Sequence, residues 1–190
     1  MPFVHSRLRI AGVVLLVSAL GGWVWSTGNE PEIDAVMTTP GEVPYPALDT
    51  NEPVVGKQLP NTQLTDLDGN TIALRSFVGS PVILNFWYST CEPCRREIPA
   101  FVQAQQTNAN IRFVGFNMND SPEMAKAFGE KYGINYPILF DQSGTVIREL
   151  GIVTAPSTLF IDSTGNIVDQ VAGEISSDKL ASLISQWFTS

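Results

Sequence analysis

The chain has 190 residues, 44% of them apolar and 16% charged, with a formal net charge of −8. That length suits one ordinary domain with appendages, and the apolar share is sufficient for its core. The acidic balance and the lack of a basic stripe exclude a nucleic-acid-binding surface. Two cysteines and one histidine are too few for a structural zinc site, which takes about four ligands.

Arg7 and Arg9 precede residues 10–29, a stretch of 20 residues without a charge. As a helix rising about 1.5 Å per residue it would span roughly 30 Å, the thickness of a bilayer's hydrocarbon core. Trp23 and Trp25 fall near its far end, where interfacial aromatics are favoured, and the preceding arginines orient the N-terminus to the cytoplasm. A cleaved signal peptide is the competing reading. Val17-Ser18-Ala19 has the small residues of a cleavage site, but it leaves only 10–16 as the apolar segment, which is short for that purpose. The expectation is a single-pass membrane anchor over 1–28, with the rest of the chain extracytoplasmic; cleavage would leave it outside as well.

Residues 29–53 hold six acidic residues, five prolines and no base. Without clustered apolar residues to offset ordering entropy, they read as a solvated acidic linker. The domain proper, 54–190, has 13 acidic and 9 basic residues, a balance of −4 that serves solubility.

Two short alternating runs around Asp68-Gly69 predict a β-hairpin. The continuous apolar run at 81–87 predicts a buried central strand. Ile98, Phe101 and Val102 predict a helix over about 94–107, and 111–118 a further strand. The next helix is predicted to be capped by Ser121, to open on Pro122 and to end at Gly133. A strand–helix–strand unit of this spacing implies a parallel pair. STLFI and NIVDQVA flank the turn at 162–165 as a second hairpin. A closing helix over 177–188 aligns Leu180, Leu183, Ile184 and Trp187 in one apolar stripe, read as core. The sum is an α/β fold, a mixed central sheet with helices on both faces and an N-terminal β-hairpin.

Cys91 and Cys94, the only cysteines, lie in FWYSTCEPCRREIP at 86–99. Metal binding fails on ligand number, since the single histidine, His5, lies ahead of the anchor. A structural staple is a poor use of the spacing, because closing so short a loop removes little unfolded-state entropy. A redox centre suits the placement. Cys91 follows the buried strand, and Pro93 sits where a helix begins and needs no N–H. The free N–H groups and positive dipole end of that helix favour a thiolate on Cys91. Cys91 is therefore read as the nucleophile, and Cys94, one turn in and shielded, as the resolving thiol, the two closing a disulfide on oxidation.

These residues resemble the active-site segment of the thioredoxin superfamily, in particular its membrane-tethered TlpA/ResA-like branch. The resemblance covers roughly 54–190. It includes the hairpin LTDLDGNTIAL at 64–74, the CEPC core, and TAPSTLFID at 154–162. It implies that Pro156 is cis and faces the cysteines, forming with Ala155, Trp87, Thr90 and Pro93 the surface that binds substrate. Trp87 could equally be a core aromatic, expected to pack beside the site rather than react. Glu97 matches a glutamate close to the cysteines that assists their proton transfers; taken alone it is a solvated first-turn carboxylate. Asn85 stands where thioredoxin has a buried aspartate, and an amide cannot act as base, so Glu97 is the expected titrating partner. Thr90 departs from the bulky residue usual before the first cysteine, which leaves substrate preference open.

The resemblance implies a protein thiol–disulfide oxidoreductase without cofactor, reducing client protein disulfides such as those of apocytochrome c. Its electrons would come from a thiol-carrying integral membrane protein. A thiol peroxidase of the same fold is the second reading, but its reactive cysteine follows a threonine three positions earlier, and Tyr88 stands there. The third is a copper or assembly chaperone, which uses a wider cysteine spacing and a distant histidine that 54–190 lacks.

Overall fold

The computed structural model describes residues 51–189. The anchor expected at 1–28, and the linker as far as residue 50, lie outside the described residues.

Strands β1 (Gln63–Thr65) and β2 (Thr71–Ala73) form the expected hairpin, with Leu64 opposite Ile72. Asp66 shapes its turn by accepting the N–H groups of Asp68 and Asn70 on Oδ1. Gly69 takes a φ of 81°, which an L side chain resists. The apolar run becomes β3 (Val82–Trp87), buried along its whole length. Alternation sends Val82, Leu84 and Phe86 to one face of the sheet, and Ile83, Asn85 and Trp87 to the other. Helix α1 (Glu92–Thr107) begins two residues earlier than its apolar spacing indicated, because Cys91 and Pro93 supply the start.

Strand β4 (Arg112–Asn117) leads to helix α2 (Pro122–Tyr132). There Ser121 Oγ accepts the Met124 N–H at 3.3 Å, and Gly133 closes the helix in the left-handed conformation. Strand β5 (Ile138–Phe140) and helix α3 (Thr145–Leu150) follow, neither anticipated from the sequence. Strands β6 (Ser157–Ile161) and β7 (Ile167–Ala172) form the second hairpin, and helix α4 (Ser177–Phe188) closes the chain.

The seven strands lie in the order β2-β1-β5-β4-β3-β6-β7. Strands β3, β4 and β5 are parallel, while β6 runs antiparallel to β3 and β1 antiparallel to β5, so the sheet is mixed. On one face Val82, Leu84 and Phe86 pack with Val146 and Leu150 of α3 and with the 3-10 turn Leu74–Phe77. On the other, Ile83 packs with Phe101 of α1 and Leu180, Leu183 and Ile184 of α4, and Trp87 with Ile98 of α1 and Phe128 of α2. Helices thus cover both faces. Among the described residues no helix is long and apolar enough to cross a membrane.

The apolar stripe of α4 needs one correction. Trp187 is 41% exposed, and its Nε1–H donates to Asp169 Oδ2 at 2.9 Å. The last turn of α4 runs past the edge of the core, where a ring with a polar tip finds a carboxylate.

Candidate active site

The site forms where β3 ends. The Tyr88–Thr90 loop turns the chain from the sheet into α1, and Cys91 caps the helix: its Sγ accepts the Cys94 N–H at 3.2 Å. Pro93 lies in the first turn, where the missing N–H leaves no bond unmade. The cap brings Cα of Cys91 within 5.3 Å of Cα of Cys94, and the two sulfurs form a disulfide. Cys91 is 4% exposed and Cys94 fully buried, so an incoming group meets Cys91 first.

Register places the proline loop beside the pair. Phe86 of β3 pairs with Ser157 of β6, which sets Pro156 across from Trp87 at the sheet end that carries the cysteines. The Ala155–Pro156 bond is cis, as expected. Half-buried Ala155 packs against the cluster containing Cys91 and Cys94. Thr90 is exposed and Pro93 half-buried, so both border the disulfide at the surface. Trp87 does not fit the substrate-binding surface expected of it. It is fully buried, with its ring stacked on Phe128 at 4.7 Å between centroids, and it supports the cysteines from beneath.

Glu97 is 1% exposed rather than solvated. It lies one turn beyond Cys94 on the same face of α1. Its Oε1 accepts from Asn85 Nδ2 at 2.8 Å, and its Oε2 accepts the Ile175 N–H at 2.9 Å. Burial penalises the charged carboxylate and pushes its pKa up from 4.5 to about 7, against the downward pull of those two donors; nearby Glu174 adds to the rise. Asn85 also donates to Thr158 Oγ1, which fixes its amide orientation. The arginines beside the cysteines face carboxylates of their own. Arg95 pairs with Glu92 at 3.2 Å, and Arg96 makes a forked contact with Glu174.

Two polar contacts around the site carry no sequence signature. Asp120 accepts the Ser89 N–H at 2.6 Å and the Ser89 hydroxyl at 2.7 Å, fastening the loop just ahead of Cys91 to the end of β4. Asn51 is buried against the proline loop. Both join residues far apart in sequence, so no local pattern announces them.

A closed Cys-x-x-Cys pair at a helix start, flanked by a cis-proline on this sheet, defines a thiol–disulfide oxidoreductase of thioredoxin-like fold. Comparison with known proteins agrees. Residues 55–170 match the AhpC/TSA family, and the chain belongs to it. The chain is 30% identical over 128 residues to the thiol-disulfide oxidoreductase ResA of Bacillus anthracis, spanning 66% of this chain and 74% of that protein. Its identity to ResA of Bacillus subtilis strain 168 is 31% over 120 residues, 62% of this chain and 67% of that one. Among solved structures, MTB dsbF in its mixed oxidised and reduced forms matches with a TM-score of 0.63 at 30% identity, over 70% of this chain and 98% of that one. A secreted Mycobacterium tuberculosis disulfide oxidoreductase homologous to E. coli DsbE matches with a TM-score of 0.62 at 25% identity, over 66% and 96% of the two chains.

Proposed function

We propose that the Cys91–Cys94 pair is the working centre and that this protein is an extracytoplasmic reductant of client protein disulfides, held at the membrane by residues 1–28. The position of Cys91 Sγ at the start of α1, more exposed than Cys94, carries the reading. With the pair reduced, the Cys91 thiolate attacks one sulfur of a client disulfide, forming a mixed disulfide and releasing one client thiolate. Cys94 loses its proton and attacks Cys91 Sγ, which expels the second client thiolate. Two electrons pass to the client, and Cys91–Cys94 closes. Glu97, with a pKa near neutrality and on the same helix face as Cys94, is the group that takes and returns the Cys94 proton.

The reducing direction is supported by the ion pairs. Arg95 and Arg96 face Glu92 and Glu174, so their charges are partly spent before they reach the Cys91 thiolate. A thiolate given less help makes the reduced form a better donor. Apocytochrome c, whose haem-binding thiols must be reduced, is the client class this chemistry fits. A thiol-bearing membrane protein would recharge the pair.

The test equilibrates the protein against a dithiothreitol series and traps clients on single-cysteine variants. The expected potential lies closer to that of thioredoxin, about −270 mV, than to that of a strong oxidant, about −120 mV. Cys94→Ala should accumulate a mixed disulfide on Cys91, and Cys91→Ala none. A potential near −120 mV with rapid oxidation of a reduced unfolded protein would make it an oxidase, and peroxide consumption at comparable rates a peroxidase.

A further inference from the structure

The packed domain begins before Val54. Asn51, from the end of the acidic linker, is only 8% exposed and spends its whole amide on the loop that carries Pro156. Its Oδ1 accepts the N–H groups of Val153 and Thr154 at 2.8 and 2.9 Å, and the Thr154 hydroxyl at 3.2 Å. Its Nδ2 donates to Ser157 Oγ, whose hydroxyl in turn donates to the Thr154 carbonyl at 2.7 Å. One side chain therefore grips this loop on both sides of the Ala155–Pro156 bond. The neighbouring backbone completes the attachment: the Glu52 N–H donates to the Gly151 carbonyl at 3.1 Å, and Gln170 brackets the segment through the Glu52 carbonyl and the Val54 N–H.

The Gly173 N–H holds the Pro156 carbonyl at 2.8 Å, and Asn51 holds the stretch ahead of it. Val153 and Thr154 are exposed, and their N–H groups lie outside any strand, so their only side-chain acceptor is Asn51 Oδ1. Loss of that acceptor would return two N–H groups to water and release rotations that the amide now holds fixed. Ser157 is the first residue of β6, so the clasp also sets how the loop enters the sheet opposite Phe86.

We infer that Asn51 is a positioning residue for client recognition: the end of the linker pre-organises the Pro156 loop on which a client segment is laid. It touches neither sulfur and acts through the loop alone. The inference rests on the client-reductase reading above, because a loop that binds no client needs no such clasp. Asn51, the first described residue, therefore lies at the loop bordering the disulfide rather than at the opposite end of the sheet.

The test compares the full 190-residue chain, kept soluble in mild detergent, with its Asn51→Ala and Asn51→Asp variants. Reduced protein is assayed for reduction of insulin disulfides, and the potential of the Cys91–Cys94 pair is measured in parallel. Asn51→Ala should raise KM about tenfold, while kcat and the potential each stay within about twofold, since neither the sulfurs nor α1 is touched. Asn51→Asp keeps the acceptor oxygen for Val153 and Thr154, and should restore most of the loss. An unchanged KM in Asn51→Ala, a fall confined to kcat, a shifted potential, or an Asn51→Asp variant as impaired as the alanine would each overturn the inference. Failure of the unmodified chain to reduce insulin at all would instead overturn the client-reductase reading and this inference with it.

Discussion

Replacing Glu97 by glutamine should stabilise the oxidised domain at alkaline pH and destabilise it at acid pH. The folded protein holds the Glu97 proton up to about pH 7, whereas the unfolded chain releases it near 4.5. Between those values rising pH strips the unfolded chain first, so the wild-type domain loses stability as pH climbs from 4.5 through 7. Each tenfold difference in proton affinity is worth about 1.4 kcal/mol, so the ionised carboxylate costs the fold about 3 kcal/mol above pH 7. Glutamine never ionises. Its amide, however, can accept from only one of the two donors now satisfied, Asn85 Nδ2 and the Ile175 N–H. The mismatch at the other offsets about 1–2 kcal/mol. The expected gain at pH 8 is therefore about 1–2 kcal/mol; near pH 4.5 the ionisation cost vanishes while the mismatch stays, and the variant should be less stable than the wild type by about 1–2 kcal/mol. Urea unfolding of both proteins with the disulfide intact, at a series of pH values from 4.5 to 8, measures it, and the other titrating groups cancel in the comparison. A difference that does not change with pH, or a variant whose stability relative to the wild type falls as pH rises, would refute a buried carboxylate of raised pKa. If Glu97 takes the Cys94 proton as proposed, the same variant should reduce protein disulfides more slowly at neutral pH, as an insulin-reduction assay would measure.

Two further outcomes test the packing around the site. A β-carbon at Gly115 would fall 2.8 Å from Trp87 Nε1 and 3.5 Å from Tyr136, both rings buried, so Gly115→Ala should cost about 1–3 kcal/mol in urea unfolding and perturb tryptophan fluorescence. Leu183→Ala should cost about 2–5 kcal/mol, and Trp187→Ala less than about 1 kcal/mol despite removing the larger side chain, because Leu183 is buried against α1 while Trp187 lies at the edge; thermal melts of the two variants decide it.

The sequence by itself determined what local chemistry controls. Asp68-Gly69 marked the first hairpin, Ser121, Pro122 and Gly133 bounded α2, and the unbroken apolar run marked β3, because turn geometry, caps and full burial each leave their sign within a few residues. The cysteine pair was legible for the same reason: Cys91 and Pro93 form a helix start, and the chemistry of a thiol there follows from that start. Strand β5 and helix α3 were not legible. With three and six residues they are too short to display a period, and they exist because β4 and the core offer them a place. Trp187 shares the spacing of Leu183, yet spacing does not say where a core ends. Only the tertiary structure decided the states of Glu97 and Asn51. A carboxylate in a first helical turn and an asparagine in a proline-rich linker both read as solvated. What buries them comes from elsewhere in the chain, Asn85 and Ile175 for the first and the Pro156 loop for the second. Their protonation and hydrogen bonding depend on contacts across 12 to 106 residues, which no local pattern encodes.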